Sequence, residues 1–151
     1  MRGTILCGVN DSEAGRGALE LAAELGDRLG LRLVVAHVAD GIAPVGGDGN
    51  GDESVTTRAN REGAARLVAR LTAEHGRAGS AEQRSGVGDP AALLAQFAAE
   101  EAADMIVIGS RARGRPWRGL ESKFARRLET ETPVPVLIAL PRTPRARRAA
   151  A

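Results

Sequence analysis

Four short apolar runs and one weaker one, separated by stretches with helical spacing, constrain this chain more than any other feature. Thr4 to Val9, Leu33 to Val38, Asp104 to Ile108 and Val134 to Leu140 are nearly continuous apolar segments, as expected of strands covered on both faces. Ser80 to Gly86 has little apolar content and suits the edge of a sheet. Between these runs, Ala18, Leu21, Ala22, Leu25 and Leu29 recur at helical spacing over Glu13 to Leu29, and Gly30 closes the segment. Asn10-Asp11-Ser12 ahead of it reads as a turn and helix cap. A second helix is expected over Val55 to His75, with Ala64, Leu67, Val68 and Leu71 inward. Gly88-Asp89-Pro90 predicts a third start, with Asp89 as cap and Pro90 at the first helical position, running to about Ala102. Phe124 and Leu128 mark a short fourth helix from about Ser122 to Thr130.

Strands joined by helices run parallel, because a parallel pair needs a long crossover. The order therefore predicts an α/β fold, an open doubly wound five-stranded parallel sheet with helices on both faces. Ligands of such sheets bind beyond the carboxyl ends of the strands, where the strand order reverses. If strands one and four flank that point, Val9-Asn10-Asp11 and Ile108-Gly109-Ser110 face one crevice.

The chain has 151 residues, enough for one domain with a real core, expected over 1–141. Aromatic residues make up only 2%, so that core must be aliphatic. Cys7, the single cysteine, lies in an apolar run and reads as a small buried hydrophobe. No segment approaches the roughly 18 apolar residues of a membrane span, and no signal peptide is apparent, so a cytoplasmic protein is expected. Residues 39–53 are rich in glycine and acid, hence a loop. Residues 142–151, basic and proline-containing, are expected to form a disordered tail.

The formal charge of +2 hides a local excess: Arg111 to Arg127 carries seven positive groups against one negative, Glu121. This stretch follows the fourth strand, where a phosphate-binding loop would lie, and it contains Lys123, the only lysine. Arg111, Arg113, Arg115 and Arg118 could supply forked donors to a phosphate, or point into water. Trp117 within it raises nucleic-acid binding, but no recognised module accompanies it, so nucleic acid is not expected.

Ile5 to Glu13 (ILCGVNDSE), His37-Val38, Gly88-Asp89-Pro90 and Ala103 to Leu140 resemble the universal stress protein family. The DMIVIG strand end and PVPVLIAL about twenty-five residues later are the most specific match. The resemblance implies an adenine-nucleotide alpha-hydrolase-like, Rossmann-like domain of strand order 3-2-1-4-5. It also implies a homodimer joined through the last strand, where Val134, Val136 and Ile138 flank an unpaired ladder. Many members bind ATP and many do not. Those that do share glycine, two residues, glycine, nine residues, glycine, then serine or threonine. The glycines let backbone amides approach phosphate, and the hydroxyl sits at a helix start where the dipole favours anions.

Laid on this chain, the pattern begins at Gly109, which is kept. The second glycine is Ala112, the third is Ser122, and the hydroxyl position is Lys123. The aspartate that contacts the nucleoside in binding members is Asn10 here, which loses a charge-assisted bond. By resemblance, Val9 and the backbone of Val38 would also line the nucleotide. The cofactor is then ATP or AMP with magnesium, another anion, or none, and the substitutions favour a weak or lost site. Ser122 capping the fourth helix and the Lys123 charge at that helix end are what a modified phosphate loop would use. Asp11, Ser12 and Glu13 read as a capped helix start rather than a catalytic group. His37 and His75 lack companions at metal-ligand spacing. The sequence therefore reads as a dimeric stress-response regulatory or interaction protein and not an enzyme, slow ATP hydrolysis aside. Its protein partner is not legible.

Overall fold

The computed structural model describes residues 2–41, 55–110 and 120–140, without the side chains of residues 55, 56, 77 and 120–122. Arg111, Ala112, Arg113, Arg115, Trp117 and Arg118, most of the loop 39–53 and the tail 142–151 lie outside the described residues. Strands β1 (Thr4–Gly8), β2 (Arg32–Asp40), β3 (Glu82–Gly88), β4 (Met105–Gly109) and β5 (Val136–Ala139) alternate with helices α1 (Glu13–Leu29), α2 (Val55–Glu74), α3 (Pro90–Glu100) and α4 (Leu120–Glu131). A 3-10 turn, Gly76–Ala78, precedes β3. The strands form one parallel sheet in the order β3-β2-β1-β4-β5, the expected architecture, with β3 at an edge.

Alternate residues of each strand enter opposite layers, which is why the runs are apolar throughout. Leu6, Val34, Ala36, Ile106 and Ile108 pack with Leu94, Phe97 and Ala98 of α3 and Leu128 of α4. Ile5, Cys7, Val35 and Val107 pack with Leu19 and Ala22 of α1 and Val68 and Leu71 of α2. Cys7 is fully buried, and burial pushes its thiol up, so it serves as packing.

At the amino ends of the strands, Glu101 joins two arginines, accepting from Arg32 at 2.9 Å and Arg84 at 2.8 Å. Arg84 also stacks 4.7 Å from the Phe97 ring centroid. Gly30 ends α1 at φ 66° and donates to the Gly26 carbonyl. The end of α3 uses alanine for the same task. Ala102 has φ 49°, donates to Ala99 O at 3.2 Å, and is followed by Ala103 donating to Ala98 O at 2.8 Å.

Two expectations need correction. Asp89 holds the cap position of α3 but makes no capping bond; its carboxylate pairs with Arg127 of α4, a charged donor that outcompetes a backbone amide. Helix α4 begins at Leu120, so Ser122 falls inside its first turn and not at the cap. Strand β5 is an edge strand, as expected, and Val136 and Ile138 on it, with Val134 just before it, pack partly against the α3–α4 layer. The large apolar side chains exposed at this edge are Leu137 and Leu140.

Candidate functional site

The carboxyl ends of β1 and β4 meet the first turn of α1. The register Cys7↔Val107 and Gly8↔Ala36, carried forward two residues, brings Val9 level with Gly109 and Asn10 level with Val38. Four of the expected site residues therefore share one edge of the sheet. Each is placed by a specific contact.

Val9 continues the β1–β2 ladder beyond its last pair. Its N–H donates to Ala36 O at 2.8 Å. Its carbonyl is 2.7 Å from His37 Nδ1. A carbonyl only accepts, so Nδ1 carries the proton and donates. The imidazole thus supplies the rung that a backbone amide would have made, and pins the chain where it turns into Asn10. His37 looked like a lone structural or solvated histidine in the sequence; only the tertiary pairing gives it this role.

Asn10 is drawn into the start of α1. Its backbone carbonyl accepts from Ser12 N at 2.9 Å, and its Oδ1 accepts from the Ser12 hydroxyl. Ser12 Oγ in turn accepts from Gly15 N at 3.1 Å, the expected cap. The helix then presses on both strand ends. A Cβ on Gly15 would lie 2.3 Å from Asn10 O, and one on Gly109 would lie 2.1 Å from Ala14 O. Gly109 is therefore required by α1 whatever the crevice binds.

Asp11 bridges two helices, accepting from Arg16 and Arg70 at 2.9 Å each. The bond from Arg16 and then that from Arg70 hold its carboxyl below the usual carboxylate range. Ser12 capping α1 bears out the reading of this segment as a helix start. Val38 is half-buried against the α3–α4 layer. Lys123 is exposed on the first turn of α4, where its ammonium offers donors and no acceptor. Among the described residues no group of three or more His, Cys, Asp and Glu side chains could hold a metal ion. No helix of the described residues is long and apolar enough to cross a membrane.

A sequence model described as the universal stress protein family matches residues 1–139. No curated protein matches the chain. Among solved structures, a universal stress protein family member from Burkholderia pseudomallei is 29% identical. The match covers 90% of this chain and 94% of that one, with a TM-score of 0.65. A universal stress protein in complex with cAMP is 19% identical, covering 93% and 98% of the two chains at a TM-score of 0.60. One from Archaeoglobus fulgidus in complex with dAMP is 20% identical, covering 91% and 97% at 0.58.

Proposed function

The chain belongs to the universal stress protein family, and from that membership and the contacts in the crevice we propose that it acts as a nucleotide-independent, non-catalytic stress-response protein working through protein contacts in the cytoplasm. The observation that carries this reading is the use of crevice residues for folding. Gly109 is accounted for by Ala14, and the Asn10 carbonyl by Ser12. What the family pattern would leave for a phosphate is then little. Lys123 stands where a hydroxyl is needed, and Ala112 and Ser122 replace two glycines. The residues fit ATP with magnesium poorly. Calorimetric titration of the full chain with ATP and Mg²⁺, and separately with AMP, tests this. No saturable heat at millimolar nucleotide is expected, and saturable binding contradicts it.

A second reading is favoured by one observation, the exposed Lys123 at the amino end of α4. There a cation and a helix dipole both favour an anion, and an AMP-like ligand could be held through arginine and lysine side chains in place of glycine amides. The relatives solved with cAMP and dAMP give that ligand class its plausibility. Binding of AMP that disappears in Lys123→Ala would establish it over the first reading.

The working unit in this proposal is a homodimer. Strand β5 is an open edge carrying Leu137, 39% exposed, with Leu140 just beyond it at 52%. A second copy would cover both the ladder and these side chains. Sedimentation of the full chain should give a dimer that Leu137→Glu shifts toward monomer. A wild-type monomer at high concentration contradicts this part.

A further inference from the structure

Beside the crevice, on the α1–α2 face of the sheet, lies a groove of about 450 Å³ that shares the first turn of α1 with it. Its floor is apolar, with Leu19, Leu71 and Ala139 each almost wholly buried, and Leu140 stands half-exposed at one end. Its rim carries Glu13, Glu20 and Glu74. The rim's one arginine, Arg16, is bonded to Asp11 at 2.9 Å and lies 3.8 Å from Glu74. The groove also holds His75, whose Nδ1 is buried with no hydrogen-bond partner among the described residues. An apolar slot, an acidic rim and an unsatisfied ring nitrogen together ask for an extended, positively charged segment with backbone groups to offer.

We propose that the occupant is the chain's own segment following Leu140. Leu140 already belongs to the groove, so the next residues leave from its mouth. They read Pro141-Arg142-Thr143-Pro144-Arg145-Ala146-Arg147-Arg148, four arginines and no acid. The prolines bias the residues before them toward extended backbone, the shape that a slot admits. From Glu13 and Glu20 on the rim, the acids continue along α1 to Glu24, which also pairs with Arg28 at 2.6 Å, and to Asp27, at spacings that return to one side of the helix. That acidic stripe continues the path for Arg145, Arg147 and Arg148. The inference is independent of whether the crevice binds nucleotide. The tail is held by the domain, and its arginines are withheld from anionic surfaces until something displaces them.

A nitroxide placed on the full chain through Ala149→Cys tests this, since Cys7 is buried and the new thiol is labelled selectively. With the chain labelled in nitrogen-15, the α1 amides of Gly17, Glu20 and Glu24 should broaden. The broadening should fade in about 1 M salt, where the screening length falls to about 3 Å. It should also vanish when Arg142, Arg145, Arg147 and Arg148 are all changed to Gln. Broadening confined to β5 near Leu140 overturns the proposal, and so does broadening of α1 that survives the four substitutions. A sample mixing spin-labelled unenriched chain with unlabelled enriched chain decides between the chain itself and its neighbour. Broadening of α1 that persists in that mixture assigns the groove to a second copy and overturns docking within one chain.

Discussion

The Cα of Gly109, at the end of β4, sits against the Ala14 carbonyl in the first turn of α1, leaving no room for a side chain. One glycine of a nucleotide-binding pattern is thereby explained by helix–sheet packing. Its survival is no argument that a phosphate comes to rest there. The same turn claims Asn10 through Ser12, so the two crevice residues nearest the family's pattern are both engaged by the helix start.

Gly109→Ala should destabilise the fold by about 3 kcal/mol or more, the upper range for forcing atoms into a packed site, because the obstacle is backbone. Urea unfolding without nucleotide measures it. If the glycine served only a ligand, the midpoint would be unchanged.

His37→Phe leaves the Val9 carbonyl without its donor, in a residue that is 6% exposed. A buried acceptor so abandoned costs about 1–3 kcal/mol. The loss should appear in the urea midpoint, with faster hydrogen exchange at the Val9 amide as the end of the ladder loosens. Unaltered exchange there would show that the imidazole bond does not hold the strand end.

The fold was legible where its causes are local. The period of α1, Gly30 at its end, Pro90 opening α3 and the unbroken apolar strands all act within a few residues of themselves. The poor apolar content of Ser80 to Gly86 even located an edge strand, observed over Glu82–Gly88. What escaped depends on residues far apart in sequence. Asp89 has the residue type and position of a cap, yet Arg127, 38 positions on, takes its carboxylate. Gly109 meets a carbonyl 95 positions earlier (109 − 14). His37 finds Val9 only because β2 lies beside β1.

Asp11 has a carboxyl held low by Arg16 and Arg70. A depressed folded pKa adds stability that is complete above the unfolded value, about 3.9, and is lost as the pH falls through the lower folded value. Asp11→Asn should therefore lower the urea midpoint at about pH 7, and the two proteins should converge on acidification below about pH 4. A gap that stays constant to about pH 2 contradicts this. The carboxylate is exposed, so the effect is small and should shrink in salt.

Ala102 adopts φ 49°, where an L-residue with a Cβ is strained by about 1–2 kcal/mol. Ala102→Gly relieves that strain and gives back about 0.4–1 kcal/mol through a more flexible unfolded chain. A net gain of about 0.5–1 kcal/mol in chemical denaturation is expected. A loss would show that the helix end accommodates alanine without strain.

The central claim is that the crevice no longer serves a nucleotide, and the protein as it leaves the cell tests it most directly. Full-length chain purified without added nucleotide is denatured, and the released small molecules are quantified against protein. The account predicts adenine nucleotide far below one equivalent per chain. A near-stoichiometric yield of ATP, AMP or a cyclic or deoxy relative would contradict it.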